Sequence, residues 1–237
     1  MYRRIVQHAL RLVVLATLVV LALSACGGGG DAGEGQANKP LPLPEVEEAL
    51  PSGEYRTEEF KPSFSFRVGE DWAMETDPQE GADVLEITWR KGTMNLFFMN
   101  VKKVYEPTKS GTSTEEQAPK DMAGWFQHHP YLRTVKQEPV TVGGVEGVQL
   151  DLVVEVPNDY YGTCGTGGCL DIAALGEFTD TTGIPLAFEE GIKERVIVLE
   201  DVKGETVTID FGAQEVKFDE FAPEGQKVVE SMKWTGS

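Results

Sequence analysis

The sequence predicts a single α+β domain: a mostly antiparallel sheet of about eight or nine strands with two main helices packed on it. Three observations carry that expectation. Apolar and polar residues alternate over short stretches through much of residues 54–237, the period of a half-buried strand. Glycine-containing turns separate neighbouring stretches at hairpin spacing, so successive strands pair antiparallel. Only two stretches, about 119–130 and 221–230, space their apolar residues as a helix does, one in mid-chain and one near the end. The roughly 180 residues involved are ample for one core and short for two.

Taken in order, the chain opens with Arg3, Arg4 and Arg11, then an apolar run at 12–23 broken only by Thr17. That run is much shorter than the ~20 residues a membrane-spanning helix needs. Ser24 and Ala25 lead into Cys26. Basic start, short apolar run and Leu23-Ser24-Ala25-Cys26, in that order, resemble the signal peptide and lipobox of bacterial lipoproteins. The resemblance implies that residues 1–25 are removed and that Cys26 becomes the first residue and receives a diacylglyceryl group. The mature protein would then sit outside the cytoplasm, held to the cell membrane by lipid. An ordinary cleaved signal peptide is the alternative. No Ser or Thr precedes Arg3-Arg4 and no Phe-Leu follows, so general secretion is expected rather than twin-arginine export. Residues 26–53 read as the lipidated cysteine and a flexible tether: four glycines, a small polar stretch, then Pro40, Pro42 and Pro44 without apolar periodicity.

The domain is expected over 54–237. Residues 55–59 read as a short strand, and Phe64, Phe66 and Val68 alternate with Ser65 and Arg67 as the next. Trp72 reads as core. Residues 84–89 and 94–104 form two strands joined around Lys91-Gly92, the second apolar at its centre and so covered on both faces. After a polar loop at 107–114, Met122, Trp125, Phe126 and His129 make one helical stripe that Pro130 ends. Residues 133–138 and 140–142 lead into Gly143-Gly144, a hairpin signal. Beyond it Val148, Leu150, Leu152, Val154 and Val156 alternate with Gln149, Asp151, Val153 and Glu155, one face buried and the other mostly wet. Residues 157–185 read as irregular. Residues 192–199 and 206–211 form a further hairpin, and a closing helix at 221–230 carries Pro223 in its first turn.

Composition narrows the function. The net charge of −18 becomes −21 once Arg3, Arg4 and Arg11 leave with residues 1–25, which hold no acid. Such a surface repels nucleic acid and anionic headgroups, so nucleic acid is excluded as a partner and membrane attachment falls to the lipid on Cys26. It also favours a soluble monomer. With Cys26 assigned to lipid, Cys164 and Cys169 remain as one pair in an oxidising compartment, read as a disulfide. Closing that short loop contributes roughly 2 kcal/mol by loop entropy. A redox-active pair or two zinc ligands are the alternatives. Redox motifs usually have two intervening residues rather than four, and zinc would need two further ligands.

Catalytic motifs fail on inspection: there is no G-x-S-x-G, S-x-x-K, H-E-x-x-H or calcium loop, and no Gly-Lys pair from which to build a phosphate loop. His128 and His129 point about 100° apart on a helix and do not share a site. No metal, cofactor or catalytic residue is expected. The 39 acids supply many carboxylate pairs and single out none, which leaves a carboxylate-based hydrolase of cell-wall glycan as an alternative. Asp159, Tyr160 and Tyr161, beside the cysteine loop, are the candidate binding residues. Two exposed tyrosines would make a platform for a sugar or a partner protein, although in a strand one of the two faces the core.

A second resemblance rests on Phe60-Lys61-Pro62-Ser63-Phe64-Ser65-Phe66, Trp72, the helix end at 125–130, Val140-Thr141-Val142-Gly143-Gly144-Val145, and Cys164 with Cys169 followed by 198–209 and a final helix. Together these are similar to a group of actinobacterial envelope proteins. More loosely, the layout resembles the α/β/α sandwich of PsbP-like photosystem subunits, which implies an adaptor-like role by fold analogy. The expectation is a non-enzymatic, lipid-anchored binding or adaptor module of the envelope, its partner an envelope protein or a glycan. A small solute-binding component is a further alternative.

Overall fold

The computed structural model describes residues 39–75, 82–90, 92–106, 114–157, 160–162, 165–166, 168–175 and 184–235. The expected signal peptide and Cys26, most of the polar loop at 107–114, Asp159 and Cys164 lie outside these residues. The compact unit runs over Asn38–Ser237.

The fold is α+β, with strands mostly antiparallel. It begins earlier than expected. Strands β1 (Leu41–Pro42) and β2 (Ala49–Leu50) precede β3 (Gly53–Arg56) and β4 (Phe64–Val68), and Leu50 is a core residue. The C-terminal part of the expected tether therefore belongs to the domain. Two-residue strands leave no alternation to read, which is why composition alone concealed them. β5 (Trp72–Met74), β6 (Val84–Trp89) and β7 (Met94–Met99) follow. The stretch expected to run on to residue 104 breaks after β7, and β8 (Lys103–Tyr105) joins a different sheet together with β9 (Glu115–Gln117).

Helix α1 (Met122–His128) starts on Asp121, whose carboxylate accepts the Gly124 N–H at 2.6 Å. Met122, Phe126 and His129 are buried, as their stripe requires. β10 (Leu132–Val142) and β11 (Val145–Val154) meet at Gly143-Gly144, both at positive φ as the tight turn demands. Pro139 is tolerated inside β10 because that strand is an edge.

Residues 157–185 are more ordered than expected. They contain β12 (Tyr161–Gly162), β13 (Gly165–Thr166), β14 (Cys169–Leu175) and the start of β15 (Ile184–Glu189). β14 is a buried run without alternation, Leu170 to Leu175, which period-2 reading passes over. β16 (Ile192–Val202) and β17 (Glu205–Gln214) form the long hairpin. A 3-10 turn at Glu215–Lys217 feeds α2 (Phe218–Glu230), which starts before the expected residue 221 and carries Pro223 inside it; β18 (Lys233–Trp234) closes the chain.

Eight strands make the central sheet in the order β10-β11-β16-β17-β7-β6-β5-β2. A second sheet has the order β15-β14-β8-β9 and a third β1-β3-β4-β18, with β1 and β3 parallel. Alternation along β16 and β17 divides the interior. Ile197, Leu199, Ile209 and Phe211 face one core with Phe64, Phe66 and α2. Val196 and Val198 face another with α1, β14 and β15. Because both faces of the central sheet are covered, the expected wet face of β11 is not wet: Gln149 and Asp151 are each 3% exposed.

Candidate functional site

Tyr160 is not the surface residue that the sequence reading proposed. It is 2% exposed, its ring meets Tyr131 edge-on at 5.4 Å, and its N–H donates to the Pro157 carbonyl at 2.9 Å. Of two adjacent tyrosines one turns inward, and this is the one, so an exposed pair is not presented. The backbone of Tyr161 lies in β12, opposite Thr166 of β13. Cys169 is buried at the start of β14. The β12–β13 ladder stands beside β14, so what is described of 158–182 is organised by strand pairing.

The histidines part as their helical positions require. His128 is exposed and its Nδ1 lies 2.7 Å from the Gly124 carbonyl. His129 is buried against Trp125 and Tyr131; its Nδ1 accepts the Tyr131 N–H at 3.3 Å, and burial pushes its pKa down to about 4. It is a neutral core residue at ordinary pH. Among the described residues no group of three or more His, Cys, Asp or Glu is placed to hold a metal ion.

The arrangement with chemical content is one that sequence reasoning did not single out. Glu194 of β16 and Asp210 of β17 sit on the same face of the central sheet, in the core that contains Val196 and Val198. Glu194 lies across from Gly212, and Asp210 across from Val196, two pairs further along the ladder and therefore on the same face. The Glu194 carboxyl occupies the space that a side chain at Gly212 would need; any Cβ there would overlap it. It therefore reaches over β17, two residues from Asp210. Glu194 is 8% and Asp210 3% exposed. Burial pushes both carboxyls well above the usual range, Glu194 to about 8, with Glu189 adding to the first and Glu194 to the second. Asp210 Oδ1 and the Thr208 hydroxyl, next on the same face of β17, have no hydrogen-bond partner. Across Phe97 on β7 lies Glu86 of β6, raised to about 7 by burial and by Glu75.

No family model and no curated protein matches this chain. Two of the solved structures that match it do so at low identity and low TM-score. One is the solution structure of cyanobacterial PsbP (CyanoP) from Synechocystis, at 12% identity, covering 78% of this chain and 94% of that one with a TM-score of 0.40. Another is the crystal structure of LpqN, involved in cell envelope biogenesis of Mycobacterium tuberculosis, at 10% identity, covering 84% and 90% with a TM-score of 0.34.

On the opposite face of the sheet a second polar cluster is fully paired. Arg195 grips Asp151 with two hydrogen bonds, 2.7 and 3.0 Å, and Lys193 stands 3.8 Å from the same carboxylate. Arg195 also donates to Gln226 of α2, and Lys193 sits over the Phe218 ring at 4.4 Å. This cluster fastens α2 to the sheet and leaves no group free for chemistry. The signal that could have exposed both clusters is in β16, where Val196, Ile197, Val198 and Leu199 are apolar at both parities. Such a strand is covered on both faces, so charged residues near its end and on its neighbours are buried with it.

Proposed function

We propose that this protein is a lipid-anchored module of the cell envelope that binds a partner, an envelope protein or a glycan, without transforming it, and that residues 158–182 are the recognition segment. The observation that carries the reading is the β12–β13 ladder beside β14. Strand pairing inside a long connection preorganises it, so binding loses less conformational entropy than it would with a loose loop. The Leu23-Ser24-Ala25-Cys26 motif supports the anchor, and a disulfide between Cys164 and Cys169 would stiffen the segment further. Membrane fractionation with mass analysis of the mature N-terminus tests the address. The expected result is a diacylated Cys26 in the membrane fraction, and release of the Cys26→Ser protein. An unmodified, freely soluble wild-type protein would refute it.

A second reading, carboxylate-based hydrolysis of glycan, draws on the Glu194 and Asp210 pair. Near-complete burial of both counts against substrate reaching them. Turnover of cell-wall glycan by the purified protein, lost in both Glu194→Gln and Asp210→Asn, would install that reading in place of the first.

A further inference from the structure

The central sheet buries two acids side by side where the fold offers them nothing to ionise against. Glu194 is flanked by Leu152 on β11 and Gly212 on β17, and Asp210 by Val196 on β16 and Phe97 on β7. The charged groups near them are acids as well: Glu189, exposed at the end of β15, raises Glu194 further, and Glu86 of β6 stands on the same face of the sheet beyond Phe97. Lys193 and Arg195 alternate with Glu194 along β16 and face the other side, committed to Asp151. Among the described residues no ion pair reaches either acid.

Gly212 makes the contact possible. A larger residue would displace the Glu194 carboxyl from the surface of β17, so the glycine holds it beside Asp210. Two ionised carboxylates this close and this buried repel one another, whereas neutral carboxyls carry no such repulsion and lose far less on leaving water. The layer lying over this face is the second sheet, whose edge strand β15 supplies Leu186 and Phe188.

We propose that Glu194 and Asp210 form a proton-operated latch: while both are neutral, β15 and its sheet stay seated on β16 and β17, and loss of their protons loosens that packing. The latch stands whether or not residues 158–182 bind a partner. If they do, it couples the seating of the sheet that flanks them to pH.

The sign follows from proton linkage. Both groups hold their protons more tightly folded than unfolded, so each contributes most below its unfolded pKa and loses that contribution as pH rises; for Glu194 the window runs from about 4.5 to about 8, and for Asp210 it opens near 3.8. Each carboxyl that is neutral when folded and ionised when unfolded lowers the folding constant about tenfold per pH unit across that window.

The test is urea unfolding and hydrogen exchange of the purified protein at a series of pH values from about 5 to about 9. Glu194→Gln and Asp210→Asn are each expected to reduce the pH slope by close to one proton, and the double variant by close to two. Corrected for intrinsic rate, amides of β15 and β17 should lose protection reversibly at high pH in the parent and keep it in the double variant. If a variant fails to fold, the infrared spectrum of the protein with both acids in place decides. A protonated-carboxyl stretch that remains near neutral pH when Glu86 is replaced by Gln, and is gone at about pH 9, supports the latch. Unchanged slopes in folded variants, or no protonated carboxyl near neutral pH once Glu86 is replaced, would overturn it.

Discussion

Replacing Arg195 by methionine should be among the most damaging single changes in the domain that spares the hydrophobic core. Asp151 is 3% exposed and receives both of its close hydrogen bonds from that guanidinium, at 2.7 and 3.0 Å. Removing one partner of a buried pair strands the other charge, which costs about 3–5 kcal/mol. Lys193, 3.8 Å from the same carboxylate, is placed to take up part of that charge. The expected loss is therefore at the low end, about 3 kcal/mol, a large fraction of the ~5–15 kcal/mol that holds a typical domain together. Removing both charges with Asp151→Leu and Arg195→Met should cost less than the two single changes combined, by at least about 1 kcal/mol. Arg67→Met is the control. That arginine pairs with Glu54 at 2.9 Å, but its side chain is mostly in water, so less than about 1 kcal/mol is expected. Urea unfolding followed by tryptophan fluorescence reads all four. An Arg195→Met protein within 1 kcal/mol of wild type, or single costs that simply add, would refute the argument that this pair secures α2.

Three further outcomes are expected. His129 is neutral in the fold, so it contributes stability above about pH 6.5 that is lost as pH falls toward about 4, on the order of 3 kcal/mol; His129→Phe should remove that acid slope in a pH series of urea midpoints, read as the difference from the parent. Phe64 is fully buried between Phe60, Phe66, Phe98 and Trp234 and joins the third sheet to the central one; Phe64→Ala should cost about 3–5 kcal/mol in the same assay, and a cost under 1 kcal/mol would contradict the core as described. Thiol labelling of the secreted protein before and after reduction should find Cys164 and Cys169 reactive only after it, with roughly 2 kcal/mol of stability lost on reduction.

Much of the fold was legible because strand alternation and turn chemistry are local. Phe64, Phe66 and Val68, the Gly143-Gly144 turn, the α1 stripe and the hairpin of 192–199 with 206–211 all stand where periodicity and turn residues put them. What failed was whatever depended on what lies over a strand. Gln149 and Asp151 fit a wet face, yet Glu138 closes over the first and Arg195, held by Gln226 of α2, over the second, and the run from Leu170 to Leu175 is buried almost throughout. Asp210 follows Thr206 and Thr208 at polar parity and looks solvent-facing in one dimension; the second sheet, remote in sequence, decides otherwise. The candidate binding residues were the least legible, since parity says that one of Tyr160 and Tyr161 turns inward but not which.

The measurement that bears most directly on the central claim is photo-crosslinking in intact cells, with a photoreactive residue placed at position 161 of the full chain. The same residue at Val216, 90% exposed on the turn before α2, serves as control. The account predicts one discrete adduct, protein or glycan, captured from position 161 and not from 216. An empty result at 161, or the same mixture of adducts from both positions, would contradict it.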